Sequence, residues 1–179
     1  GSITEWHVLL IQEAGRDEVN SIQWINGHLL IRAKRAPNRF SCAIIIHSTI
    51  VQHVVRCVFW CHIPGVHIQI QGQVMHFYSA HFKPGNSASD LQLLQESMDS
   101  IACLRSNRKQ SFILGVDANV SVGSTRIRRY AHPCIGTRTL GSMDAPRGPL
   151  FRSFLSATRL MAANTFQMPC GRAREIAQR

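Results

Sequence analysis

The chain has 179 residues, of which 45% are hydrophobic and 17% charged, a composition typical of a globular domain with its own core. No apolar run approaches the roughly 18 residues that a membrane-spanning helix needs, and the first residues show no basic segment followed by an apolar one, which disfavours a signal peptide. The formal net charge is +10, which favours binding to a negatively charged partner.

The N-terminal part reads mainly as short strands. The apolar run Trp6–Ile11 predicts a strand that ends at Gln12-Glu13, and Asp17–Asn26 carries apolar residues at helical spacing, closed by Gly27. Five β-rich runs separated by turn residues follow, and the last two predict a hairpin across Gly72. These runs cover residues 28–31, 42–46, 54–61, 66–70 and 74–78.

The C-terminal part mixes helices with strands. Leu91, Leu94, Met98 and Ile101 predict one face of a helix, capped by Ser87 or Ser89. A strand then leads to Asp117, and a second helix over residues 150–157 precedes a short strand over residues 160–163. Hairpins mixed with a few crossover helices predict an α/β sandwich in a single domain, rather than a nucleotide-binding fold, since no P-loop or G-x-G-x-x-G occurs.

The six cysteines form no C-x-x-C pair, which disfavours a zinc site and favours free thiols in a reducing, intracellular compartment. Cys57 and Cys61 lie in an apolar run and are expected to be buried.

The positive charge is concentrated in one half of the chain. Residues 105–179 contain thirteen Lys/Arg and three Asp/Glu, whereas residues 1–104 contain seven of each. Seventeen of the twenty basic residues are arginine, whose planar fork suits phosphate contacts. Nucleic acid is the favoured partner, although a GC-rich coding sequence would also raise the arginine content.

Polar residues end three apolar runs. Gln12-Glu13 ends the first strand, Ser79-Ala80-His81 ends the strand before the loop at Pro84, and Asp117-Ala118-Asn119 ends a third. Strand alternation would place Asp117 and Asn119 on one face, where they suit a water, a phosphate oxygen or a hydrated Mg²⁺. The alternative is a plain turn, which Asp and Asn also favour.

These motifs, in this order, resemble the endonuclease/exonuclease/phosphatase superfamily, which includes DNase I and the endonucleases of non-LTR retrotransposons. The Gln-Glu motif of this superfamily is matched by Gln12-Glu13, and its His loop by Tyr78–Pro84. Its Gly-Asp-x-Asn motif is matched by Gly115-Val116-Asp117-Ala118-Asn119, in which Val116 is inserted after the glycine. The segments 147–155 and 160–166 resemble a helix and an Asn-Thr-x-Phe strand of the retrotransposon branch.

The resemblance implies a DNase I-like four-layer α/β sandwich with mixed sheets and a Mg²⁺-dependent (alternatively Mn²⁺-dependent) phosphodiesterase acting on the DNA backbone. Glu13 would be the metal ligand, Asp117 and Asn119 would orient water and phosphate, and His81 would contact phosphate. A reverse transcriptase in the same longer polypeptide and a nuclear location would follow for a retroelement protein.

Two parts of the family pattern do not occur in the chain. An Asn strand would precede Gln12-Glu13, and the last strands would carry a Ser-Asp-His whose His is the general base; neither is found in residues 1–179. The chain is therefore expected to be a domain incomplete at both termini and weakly active or inactive. The alternatives are a non-catalytic remnant that binds nucleic acid and, less favoured, a phosphatase of small ligands.

Overall fold

The structure is a computed structural model that describes residues 6–37, 40–105, 111–120, 134–135 and 147–163. Its contacts divide the chain into two compact units, residues 1–85 with 103–119 and residues 86–102 with 120–179. The helices and strands are β1 (Val8–Gly15), β2 (Ser21–Ile25), β3 (His28–Arg32), β4 (Ser41–Ile46), a 3₁₀ turn (Val51–His53), β5 (Val54–Trp60), β6 (Ile63–Ile70), β7 (Gln73–His81), α1 (Ala88–Leu104), β8 (Ser111–Asp117) and α2 (Arg147–Thr158).

The first unit contains two four-stranded sheets. The first sheet has the order β1-β4-β3-β2 and is antiparallel throughout. The second has the order β5-β6-β7-β8 and is mixed, because β7 and β8 are parallel. Parallel neighbours require a crossover, and the chain between these two strands includes α1. The predicted α/β class with mixed sheets is confirmed.

The core of this unit consists of aliphatic side chains from the facing surfaces of the two sheets. Most of these buried residues lie on β3, β4 and β6, and Phe77 on β7 adds an aromatic ring to the cluster. Because β-branched side chains pack well on a pleated surface, these Val- and Ile-rich strands favour the sandwich over helices. The cluster comprises Leu29, Ile31, Ile44, Ile46, Val66, Ile68 and Phe77.

The helix predicted over residues 17–26 is wrong, because Ser21–Ile25 forms β2 and pairs with β3. The two strands meet in a two-residue turn in which Asn26 and Gly27 both have positive φ, 49° and 80°. An Asn-Gly pair is the strongest short-range hairpin signal, and it outweighs the weak helical spacing. Apolar residues of this segment are exposed, including Trp24 at 65% of its surface, so their spacing does not mark a buried helix face.

The five later β-rich runs are confirmed as β3 to β7, with bounds that differ by a few residues. The predicted hairpin across Gly72 is also confirmed: Gln71 and Gly72 have φ of 49° and 79° and join β6 to β7. Cys57 is half-buried but Cys61 is exposed in the turn after β5, so the predicted burial of both is wrong for Cys61. All the cysteines in the described ranges are free thiols.

The second unit contains most of α1 and all of α2. The predicted face of α1 is confirmed in part, since Leu94, Met98 and Ile101 are buried. Ser87 caps this helix by accepting the backbone N–H of Asp90 at 3.2 Å, and Asp90 Oδ2 accepts the N–H of Ser87 in return. No helix in the described part of the chain is long and apolar enough to span a membrane.

The predicted second helix is confirmed as α2, which begins three residues earlier, at Arg147. The strand predicted over residues 160–163 is reduced to a single bridge between Ala162 and Ile135. Residues 164–166, the remainder of the Asn-Thr-x-Phe segment, lie outside the described residues.

Two histidines lie side by side on neighbouring strands of the second sheet. His67 on β6 pairs in register with His76 on β7, and their ring centroids are 4.1 Å apart. Burial, the neighbouring His76 and Arg56 lower the pKa of His67 to about 4, and burial and Arg105 lower the pKa of His76. Both rings are thus neutral in the folded protein at pH 7.

The stability of the protein is expected to fall as the pH is lowered from about 6.5 to about 4, because in this window the unfolded chain binds protons that folded His67 and His76 do not. The variant His67→Phe should show a smaller decrease in melting temperature between pH 7 and pH 4.5 than the wild type. His53→Gln, at an exposed histidine outside the pair, should behave as the wild type does. Equal pH dependence in all three proteins would contradict this assignment.

Candidate active site

A β-bulge in β1 places the first predicted site residue. β1 pairs regularly with β4 from Val8 to Ile11, but three residues lie between Ile11 and Gly15 while only one lies between their partners Ala43 and Ser41. Glu13 lies in this bulge with a φ of 56°, a conformation that non-glycine residues rarely adopt. Bulges re-aim side chains, and strained backbone concentrates at functional sites. The strand does not end at Glu13, as predicted, but is locally reshaped around it.

The second predicted residue ends β7. His81 lies beside Asp117 in the parallel pairing of β7 with β8, and the Phe82 N–H donates to the Asp117 carbonyl at 2.9 Å. Since neighbouring strands are about 4.8 Å apart, two of the predicted residues lie at the same edge of the second sheet. Parallel pairing brings these two strand ends together.

Asp117 and Asn119 are related by a turn and not by strand alternation. β8 ends at Asp117, and Asn119 has a φ of 47°. The Asn119 N–H donates to Asp117 Oδ1 at 3.1 Å, the bond of an Asx turn. The prediction that strand alternation relates the two side chains is therefore wrong, because the strand has ended before Asn119. The turn that was considered as the alternative is present.

The Asn119 side chain folds back onto the end of β7. Its Nδ2 donates to the Phe82 carbonyl at 2.8 Å, and the same atom lies 3.2 Å from His81 Nε2. The Phe82 bond fixes which way the amide points, so the second N–H of Asn119 is offered to the imidazole.

Glu13 approaches the same ring atom from the first sheet. Its Oε1 lies 3.5 Å from His81 Nε2, a distance longer than that of a typical hydrogen bond. The His81 side chain is 6% exposed and that of Glu13 is 54% exposed. His81 Nδ1 is buried without a hydrogen-bond partner among the described residues. The structure therefore brings Glu13, His81 and Asn119 together at one imidazole nitrogen, with Asp117 adjacent.

Gly115 allows the two sheets to approach at this point. A Cβ on Gly115 would lie 2.6 Å from Leu10 Cβ, closer than real Cβ atoms are found, and 3.3 Å from Gln12 Nε2. The requirement for glycine in β8 was missed from the sequence. An isolated Gly in an apolar strand is the signal that could have found it, since it often marks a close approach of backbone.

The donor set fits a divalent ion bound mainly through water and substrate. No group of three or more His, Cys, Asp or Glu side chains in the described ranges is placed to hold a metal ion. Mg²⁺ needs no such cage, because it is commonly held by one or two carboxylates, waters and phosphate oxygens. The half-exposed carboxylate of Glu13 offers one such hard oxygen ligand.

A large cleft occurs elsewhere in the first unit. It measures about 1050 Å³ and is lined by residues that include Val8, Val54, Met75 and Phe77. Val8 and Met75 lie near the starts of β1 and β7, whereas Glu13 and His81 lie near the ends of the same strands. Among the described residues, those that line the cleft include no carboxylate, so they offer none of the hard anionic ligands present at the strand ends.

Comparison with known proteins identifies the fold. No protein-family model matches this sequence, and neither does any curated protein. Among solved structures, the chain is similar to the endonuclease domain of TRAS1, a telomere-specific non-LTR retrotransposon, with a TM-score of 0.52 and 15% sequence identity. The match covers 85% of this chain and 58% of that chain, so the present chain spans a little over half of the solved domain's length. The likeness confirms the predicted DNase I-like α/β fold.

Proposed function

We propose that the strand-end site is a phosphodiester-cleaving site of the retroelement-endonuclease type, which acts on DNA with a divalent metal ion. The observation that carries the proposal is the convergence of Glu13 and Asn119 on His81 Nε2. These three residues come from separate segments, and a Glu13 carboxylate oxygen and the Asn119 amide nitrogen lie 3.5 and 3.2 Å from the same imidazole nitrogen. Polar groups gathered in this way suit the electrostatic stabilisation of a transition state better than the stabilisation of a hydrophobic core.

Each side chain has a role that its contacts support. Asp117 is exposed, and its Oδ2 has no hydrogen-bond partner among the described residues, so it can accept a hydrogen from the attacking water. Asn119 is held by Phe82 and would orient the water or the scissile phosphate. His81 would contact a non-bridging oxygen of the phosphate. Most of the rate enhancement would come from positioning and charge.

Glu13 would hold Mg²⁺, or Mn²⁺ in its place, and the bound ion would offset the negative charge that builds on the phosphoryl oxygens. His81 is the single imidazole that the described site contains. With no second imidazole there to deprotonate the water, we expect slow cleavage. We further expect the chain to belong to a retroelement protein that also carries a reverse transcriptase and acts on nuclear DNA, on the strength of the resemblance.

The proposal is tested by nicking of supercoiled plasmid DNA with excess protein, in Mg²⁺ and in EDTA. The wild type should nick slowly in Mg²⁺ only, and Asp117→Ala should be slower by about a hundredfold, within the range for a residue that assists proton transfer. Asp99→Ala, at a carboxylate on the exposed side of α1, should nick as the wild type does. If no protein nicks, or if Asp117→Ala equals the wild type, the enzymatic proposal fails.

The net charge of +10 favours a second candidate, a non-catalytic domain that binds nucleic acid through its phosphates. Such binding releases counterions, so its affinity should fall by orders of magnitude between about 50 and 200 mM salt. Strongly salt-dependent DNA binding together with no Mg²⁺-dependent nicking would select this candidate. Binding that does not change with salt would contradict it.

A further inference from the structure

A hydrogen-bonded bridge lies directly behind the Glu13 bulge. The Ser79 hydroxyl on β7 donates to the Ile11 carbonyl on β1 at 2.8 Å and accepts from Gln12 Nε2 at 3.0 Å. The same Gln12 nitrogen also lies 3.3 Å from the Leu10 carbonyl. Two side chains thus join three consecutive residues of the first sheet to a strand of the second.

The bridge is buried at Ser79 and half-buried at Gln12. Ser79 is 0% exposed, and the Gln12 amide lies over Gly115, whose missing side chain leaves the space for it. A buried hydroxyl that lost these partners would leave polar groups unpaired, which is unfavourable. The bonds therefore favour the observed path of β1.

The bridge also explains how an unfavourable backbone conformation persists. Glu13 follows Gln12 directly and has a φ of 56°, which is costly for a residue with a Cβ. The regular pairing of β1 with β4 is interrupted between Ile11 and Gly15, so the first sheet's own ladder does not determine the path of Glu13. The side-chain bonds of Gln12 and Ser79 constrain this segment from the second sheet.

We infer that Gln12 and Ser79 are positioning residues, which hold the β1 bulge in the shape that presents the Glu13 carboxylate as a divalent-cation ligand. This inference rests on the proposed function, in which Glu13 binds the metal. Neither side chain would touch the ion or the substrate. Partners of this kind behind a metal ligand typically change metal affinity by ten- to a hundredfold when removed.

The test measures Mn²⁺ affinity of the full chain, from the loss of the free-ion EPR signal, in the wild type and in Ser79→Ala, Gln12→Met and Glu13→Gln. Thr158→Val is the matched control, since it removes another buried hydroxyl that bonds a backbone carbonyl, Phe154 O at 2.7 Å. Melting temperatures are recorded for each protein. Ser79→Ala and Gln12→Met should bind Mn²⁺ about tenfold or more weakly at a temperature where both are fully folded, and Thr158→Val should bind as the wild type does.

The outcomes separate the inference from the proposed function. If Glu13→Gln binds Mn²⁺ as well as the wild type, the metal role of Glu13 fails. If Glu13→Gln loses binding while Ser79→Ala and Gln12→Met retain it, the positioning role fails and the proposed function stands. A lower melting temperature with unchanged Mn²⁺ affinity in the bridge variants shows a merely structural role and also overturns the inference. If Ser79→Ala does not fold, Gln12→Met alone decides.

Discussion

The substitution Glu13→Gln is expected to reduce Mg²⁺-dependent nicking of plasmid DNA by about 10²- to 10³-fold. The glutamine keeps the size of the side chain and its place in the bulge, but it removes the negative charge that would hold the ion. Charge stabilisation by a bound metal is worth several kcal/mol in the transition state, and each 1.4 kcal/mol corresponds to about a factor of ten in rate. The loss should therefore be at least as large as that in Asp117→Ala.

The matched control is Glu18→Gln. Glu18 is another glutamate of the first unit, but it is exposed and hydrogen bonds to Arg35 on the surface. Surface ion pairs contribute little to stability, so this variant should fold and nick as the wild type does. Raising the Mg²⁺ concentration should restore part of the activity of Glu13→Gln if the defect is in metal binding. Equal nicking by Glu13→Gln and the wild type would refute the assignment of the metal site.

The substitution Gly115→Ala is expected to have the largest effect on stability, a loss of about 1–3 kcal/mol, as found when a methyl group is forced into a packed interior. The added Cβ would lie 2.6 Å from Leu10 Cβ, and that atom is fixed by its own backbone. Relief therefore requires β1 to move away from β8. This movement would also shift Gln12, so Mn²⁺ affinity should fall together with the melting temperature.

A comparison with Gly72→Ala isolates the effect of crowding. Gly72 has a φ of 79° in the β6–β7 turn, and a Cβ there would meet no atom within 4 Å. Gly72→Ala should lose about 1 kcal/mol through its backbone conformation and should leave Mn²⁺ affinity unchanged. For a chain of this size, 1 kcal/mol corresponds to about 2–4 °C in melting temperature. A melting temperature of Gly115→Ala within 1 °C of the wild type would contradict the proposed close contact.

Local patterns predicted the elements well where a single signal dominated. Alternating β-branched runs predicted β3 to β7, and the spacing of Leu94, Met98 and Ile101 predicted α1. The prediction failed at residues 17–26 because two signals competed. Val19, Ile22 and Ile25 suggested a helix, whereas Asn26-Gly27 specified a type I′ turn, and pairing of β2 with β3 decided in favour of the hairpin.

The site shows a similar division. The sequence placed Glu13, His81, Asp117 and Asn119 near the ends of apolar runs, in an order that resembles one superfamily. It gave no sign of the bulge at Glu13, because a bulge depends on the partner strand: Ile11 and Gly15 face Ala43 and Ser41. The role of Ser79 was equally hidden, since its two partners are 67 and 68 residues away in the chain.

By itself, the sequence determined which chemical groups are available and in which order the chain presents them. Four polar groups follow apolar strands in the order carboxylate, imidazole, carboxylate and amide. They belong to Glu13, His81, Asp117 and Asn119. Only the tertiary structure decided that Glu13 and Asn119 both lie within 3.5 Å of His81 Nε2. Side-chain convergence depends on parallel pairing of β7 with β8, on the close approach at Gly115 and on a left-handed turn at Asn119. These are contacts between distant segments, and no local pattern of residues specifies them.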